Sequence, residues 1–201
     1  RVRIALALKA LSYDYRPVNL VKGEQKSAAY MARNPQGLVP ALVTDEGDTL
    51  TQSMAIAEFL EERYPERPLL PGNLAARARA RAVAAICACE GQPFMNLRIQ
   101  TYLREEKGFD DAAMAEWLGR WVGGAMTAIE SLIDGDRGFC FGGAPTIADA
   151  FLAPQVFAAR RFNIDLSAMP KISRVYDACM AIDAFTRAAP GAQPDAPGEP
   201  T

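Results

Sequence analysis

The sequence predicts two units in series: an α/β domain over residues 1–65 and an all-helical domain over residues 74–189, followed by an extended tail over residues 190–201. Three observations lead there. Before residue 65, short apolar runs are cut by turn residues, and two of the runs have strand composition. Pro65, Pro68 and Pro71-Gly72 then form the one clear linker. Beyond it every long segment reads as helix, as in Met114, Trp117, Leu118, Trp121, Ala125 and Ile129.

Taken in order, residues 1–11 have helix composition, with Ile4, Leu8 and Leu11 on one stripe, and Ser12 breaks the pattern. Residues 13–20 read as a short edge strand, because Pro17 is costly in a central one. A polar loop follows, and Ser27 caps a short helix that Asn34-Pro35 ends. Pro40 has no N–H for a ladder, so a strand is expected to begin there, with Val39-Pro40 a candidate cis bond. Residues 45–48 form a hairpin turn and residues 49–51 return as a strand. Gln52-Ser53 open a helix with Met54, Ile56, Ala57 and Leu60 on it, which puts Ser53 near the N-cap. In the second unit, residues 74–106 form a long Ala-rich helix kinked at Pro93. A helix over residues 110–133 follows, and a third reaches Phe162 from a capping box of Thr146 and Asp149. The last helix starts after Pro170.

The stretch over residues 34–60 holds the densest functional signal. A kink at Val39-Pro40 leaves the Val39 backbone N–H and C=O outward, available to an extended peptide-like ligand. The adjacent helix start offers free N–H groups and the Ser53 hydroxyl, a carboxylate site. Backbone pairing and an anion hole thus stand side by side.

Composition narrows the chemistry. Of the 201 residues, 50% are hydrophobic, ample for a core, and the net charge of −2 gives no nucleic-acid footprint. No apolar run is long enough to span a bilayer, and no signal peptide is expected before the first helix. The four cysteines have neither zinc nor disulfide spacing, so a reduced, cytoplasmic protein is expected. The absence of histidine excludes a Ser-His-Asp triad, a Cys-His pair and a His-ligated metal. Catalysis is left to a hydroxyl, a carboxylate, arginines, or a nucleophile brought by a cofactor.

The run NPQGLVPAL, then a hairpin, then TQSMAIAEFLEERYP resembles the thioredoxin-like domain of glutathione transferases. The start RVRIALALK, the segment QVFAARRFNIDL and the tail QPDAP are similar to the zeta class, the maleylacetoacetate and maleylpyruvate isomerases. The resemblance covers essentially the whole chain and implies a thioredoxin-like α/β domain followed by an all-α domain. In the family a strand and a serine-rich loop precede the first helix, so residues upstream of Arg1 are expected, among them the catalytic serine.

The resemblance also implies a site. Glutathione is the expected cofactor, with its γ-glutamyl carboxylate at Gln52 and Ser53 and its cysteinyl unit on the backbone at Val39 and Pro40. Gln25 comes from the match of GEQKS to a glutathione-contacting loop, and Arg1 from the end of the catalytic motif. Gln92, Asn96, Leu97 and Arg98 come from GQPFMNLR, which resembles a zeta segment that approaches glutathione. Arg160 and Arg161, flanked by Phe157 and Phe162, are candidates for holding a substrate carboxylate, since arginine forks suit planar carboxylates. The implied activity is glutathione-dependent cis–trans isomerisation of a maleyl diacid by addition of the thiolate, bond rotation and loss of the thiolate. Conjugation or dehalogenation of small electrophiles, and a non-catalytic binding module, are the alternatives. A homodimer is the implied assembly.

Overall fold

The computed structural model describes residues 1–196. The first helix, α1, spans Val2–Leu8 and is shorter than the expected eleven residues. It closes where Ala10 takes a left-handed backbone (φ 56°) and Leu11 N–H donates back to Leu6 O at 2.9 Å. Residues 13–20 are not a strand. An extended segment becomes a strand only when another backbone pairs with it, and the described sheet has two strands, neither alongside this one. Its fixed point is a side chain instead, with Tyr15 Oη donating to Asp195 Oδ1 at 2.7 Å.

After a 3₁₀ turn over Glu24–Lys26 comes α2, Ala28–Met31, capped as expected by Ser27. β1 (Ala41–Val43) and β2 (Thr49–Thr51) pair antiparallel, Leu42 opposite Leu50. Gly47 (φ 91°) and the Thr44–Asp48 hydrogen bonds turn the hairpin. α3 spans Ser53–Arg63 and packs on α1.

The long helix expected over residues 74–106 is more than a kinked rod. α4 (Leu74–Ala85) widens into a π turn over Ile86–Gly91, tightens into a 3₁₀ turn over Gln92–Met95, and resumes as α5, Leu97–Lys107. The helix expected over 110–133 is likewise divided into α6 (Asp111–Leu118), a π turn over Gly119–Gly123, and α7, Gly124–Leu132. The two π turns lie against each other. Phe94 stacks on Trp121 at 4.7 Å, and Trp117 Nε1–H donates to Phe94 O at 3.0 Å, which ties the 3₁₀ turn to α6.

α8, Ile147–Arg161, is the central helix, with ten of its fifteen residues buried. Its capping box forms as expected. Asp149 accepts from Thr146 N–H and Cys140 N–H, both at 2.7 Å, and Thr146 Oγ1 accepts from Ala148 N–H at 3.2 Å. Burial raises the Asp149 pKa against these hydrogen bonds. α9 (Pro170–Met180) and the short α10 (Asp183–Thr186), which was not expected, complete the bundle. The tail is anchored as far as it is described, through a 3₁₀ turn over Pro190–Ala192 and the Asp195–Tyr15 contact. The rest of the predicted tail, residues 197–201, lies outside the described residues. One apolar cluster runs from Ile4 and Leu6 of α1 through Ile56 and Leu60 of α3 to Phe151, Leu152 and Ile172. Among the described residues no helix is long and apolar enough to cross a membrane.

A buried ion pair joins these parts. Lys9 Nζ lies 2.9 Å from Glu61 Oε2, and the Lys9 side chain has no exposed surface. Lys9 also donates to Tyr64 O and Arg67 O, while Glu61 accepts from Leu69 N–H and Leu70 N–H. Lys9→Met strands the Glu61 charge in the interior and is expected to cost about 3–5 kcal/mol of stability, measured by denaturant unfolding. A loss under about 1 kcal/mol, the range of exposed pairs, would show that the pair is solvated.

Candidate functional site

The hairpin brings Val39, Pro40, Gln52 and Ser53 together. Upstream of it, the Leu38 carbonyl is clamped by two donors, Asn34 Nδ2 at 2.6 Å and Tyr30 Oη at 2.7 Å. Asn34 is buried, and its Oδ1 accepts from Gln36 N–H at 3.1 Å. The chain is therefore pinned just before Val39, whose side chain is exposed and whose bond to Pro40 is cis, as expected. Among the described residues no hydrogen bond reaches the Val39 N–H or C=O.

Ser53 is the first residue of α3, not its N-cap; that position is Gln52, with φ 66° and ψ 119°. A positive φ without glycine is costly and collects at functional sites. Here it turns the chain sharply from β2 into α3, and Gln52 Nε2 is held by Gln36 Oε1 at 2.7 Å. The Ser53 residue is 9% exposed. The structure gives neither its hydroxyl nor the first N–H groups of α3 a hydrogen-bond partner among the described residues. Gln25 is also buried, and its Oε1 is the one buried side-chain polar atom among the described residues without a hydrogen-bond partner.

The Arg1 guanidinium turns into the helical part, where Nη2 donates to Cys87 O at 3.0 Å and to Gln155 Oε1 at 3.2 Å, over the Phe151 ring. Near it, Gly91 packs against the Gln155 amide so closely that a Cβ would sit 2.8 Å from Nε2. Gln92 follows directly in the 3₁₀ turn. Asn96 caps α5, its Oδ1 accepting from Arg98 N–H at 3.2 Å, while the Leu97 and Arg98 side chains are exposed. The paired arginines diverge. Arg160 lies over the Tyr176 ring at 4.3 Å. Arg161 opens onto a groove of about 700 Å³ that it shares with Arg120, Asn163, Asp165 and the Arg104–Asp111 pair.

This arrangement can pair with an extended peptide and hold carboxylates. It matches a known one. The model of the glutathione S-transferase N-terminal domain covers residues 1–63, and that of the C-terminal domain covers residues 111–179. The chain belongs to the glutathione S-transferase family. It is 50% identical to the maleylacetoacetate isomerase of Pseudomonas aeruginosa, over 98% of this chain and 93% of that one. It is also 50% identical to a maleylpyruvate isomerase of Ralstonia sp, over 97% and 93%. A solved holo maleyl pyruvate isomerase, a bacterial transferase of the zeta class, superposes with a TM-score of 0.92 at 47% identity, covering 98% of this chain and 93% of that one. A maleylacetoacetate isomerase from Anaeromyxobacter dehalogenans, solved with dicarboxyethyl glutathione and citrate in its active site, superposes at 0.86 with 44% identity, over 98% and 91%.

Within this transferase, sequence reasoning missed Tyr30, Asn34 and Gln36 as supports of the Val39 backbone, and Gln155 as the partner of Arg1. Among the described residues no cluster of metal-ligating side chains occurs. Burial pushes the Cys87 thiol up to about 12, so it is protonated at neutral pH and is lost as a proton donor only above that value. Burial raises the Cys140 and Cys179 thiols as well. Cys89 is the exposed thiol. A thiol reagent at pH 8 is expected to label one cysteine in the native protein and all four after denaturation, read by intact-mass spectrometry and peptide mapping. Native labelling of Cys87 would mean that the Arg1 junction opens.

Proposed function

We propose that this transferase catalyses the glutathione-dependent cis–trans isomerisation of a maleyl diacid, maleylacetoacetate or maleylpyruvate, to the fumaryl isomer. The observation that carries this is the half identity, over nearly the whole chain, to two isomerases of such diacids. Residues 1–65 form the glutathione-holding unit and residues 74–189 the substrate unit.

The residues fit the tripeptide. A γ-glutamyl carboxylate suits the open N–H groups at the start of α3 and the Ser53 hydroxyl. An extended cysteinyl backbone suits the unpaired N–H and C=O of Val39, and Gln25 Oε1 offers a buried acceptor. When bound, glutathione supplies the thiolate that adds to the double bond, lets the resulting single bond rotate and leaves again. The chain supplies placement and charge. Asn34 and Tyr30 hold the Val39 backbone in line, and Gln92 and Asn96 line the opposite wall.

Of the two arginines, Arg161 is assigned to the substrate carboxylate, because Arg160 lies over Tyr176 while Arg161 faces an open groove beside Arg120. Arg161→Ala is expected to lower kcat/KM for the maleyl diacid roughly tenfold to a thousandfold, with lysine restoring part of it. Arg160→Ala is expected to change it little. Neither should alter turnover of an uncharged electrophile, and total glutathione should stay constant through diacid turnover. Equal losses on charged and neutral substrates would make Arg161 structural. Stoichiometric consumption of glutathione would point to conjugation instead.

The chain acts as a cytoplasmic homodimer, in keeping with its four free cysteines and with a hollow in which Ile86, Trp121, Ala125 and Ala128 lie beside Glu90 and Arg120. Light scattering at micromolar concentration is expected to give twice the chain mass; a monomer would overturn the assembly.

A further inference from the structure

We infer that Gln155 is a positioning residue of the glutathione site, acting through Arg1 and through the turn that carries Gln92. The inference rests on glutathione binding as proposed above and not on the identity of the diacid.

Gln155 stands on a buried stretch of α8, 1% exposed, among Leu152, Val156 and Ala159, which are all buried. A primary amide is costly to place there unless its donors and acceptor are used. Oε1 accepts from Arg1 Nη2 at 3.2 Å, and the same nitrogen donates to Cys87 O at 3.0 Å. Nε2 donates to Met95 Sδ at 3.5 Å, a weak acceptor, and packs against the bare Cα of Gly91. One side chain therefore touches the N-cap of α1, the end of the π turn and the end of the 3₁₀ turn.

Those contacts belong to both walls of the site. α1 packs on α3, whose first residue is Ser53. Gln92 follows Gly91, and Asn96 follows Met95. A methionine or leucine would fill the same volume in the same apolar setting, so volume does not account for a glutamine. What the amide adds is direction: an acceptor aimed at a cation and a donor aimed at the opposite wall. It thereby indexes the anchors at the hairpin to the anchors on the turn.

The test is glutathione affinity by calorimetry in the full chain, beside melting temperature. Gln155→Met, which keeps the volume, is expected to weaken binding about tenfold while the melting temperature changes little. Arg1→Met should weaken it to a similar degree, and the double variant should lose no more than either single one, because both remove one linkage. Gln155→Glu keeps an acceptor for Arg1 and should recover most of the affinity. Unchanged affinity in folded Gln155→Met, additive losses in the double variant, or a lowered melting temperature with normal affinity would each overturn the inference. Should Gln155→Met fail to fold, normal affinity in Arg1→Met overturns it, and weakened affinity in Arg1→Met with near-parental affinity in Gln155→Glu upholds it. Diacid turnover enters none of these measurements. A parent chain that binds glutathione but leaves the diacid unchanged defeats the isomerase assignment alone.

Discussion

The Lys9–Glu61 pair sets the path of the chain between its two units. A buried charge is tolerated when its partner is close and the remaining donors and lone pairs are used. Both conditions hold: the pair is 2.9 Å apart, Lys9 also reaches two linker carbonyls, and Glu61 accepts two linker N–H groups. The linker is therefore gripped from α1 and from α3 at once. Its Leu69 carbonyl then accepts from Ile147 N–H at 2.7 Å, at the very start of α8. A rise of ~1.5 Å per residue carries α8 from that point to Gln155 at ~12 Å and Arg161 at ~21 Å. The heights of Gln155 and Arg161 along α8 are thus counted from a helix start that the linker holds.

Local features were legible in the sequence because their chemistry is local. The hairpin is spelled by Asp45-Glu46-Gly47-Asp48 between two apolar runs, and the capping box by Thr146 and Asp149 three residues apart. Ser27 before α2 and Pro170 at the start of α9 are of the same kind. Pro40 inside a strand signal marked the place where the Val39 backbone is left unpaired among the described residues. The unpaired backbone at Val39 and the helix start at Ser53 could therefore be read, while nothing in Gln52 announces its positive φ.

What was not legible depends on partners far apart in the chain. Lys9 sits fifty-two residues from Glu61 and, on a short helix, looks like a surface charge. Gln155 sits within a helix that otherwise reads as core, and its partner lies 154 residues away. The π turns have no motif of their own. They lie against each other across two segments, a relation that periodicity within one segment does not report. The expected strand over residues 13–20 failed for the converse reason: its composition suits a strand, but a strand is a relation between two backbones. Arg160 and Arg161 are indistinguishable as letters and separate only when Tyr176, sixteen residues on from Arg160, is seen beneath one of them.

The absence of histidine becomes intelligible from the groups that remain. At the two walls the chain presents backbone N–H groups, one hydroxyl, side-chain amides and arginines. Amides and hydroxyls do not titrate in the physiological range, and an arginine stays charged throughout it. The thiol beside Arg1, Cys87, is held protonated by burial. No side chain named at these walls, then, exchanges a proton near neutrality, and the group that does so is the thiol that glutathione brings. For a diacid this division is apt. Its carboxylates must be held by positive charge that does not transfer a proton to them, and its double bond must meet a nucleophile that can also leave. On the proposed reading, fixed arginine and oriented backbone answer the first need, and the second is left to the cofactor.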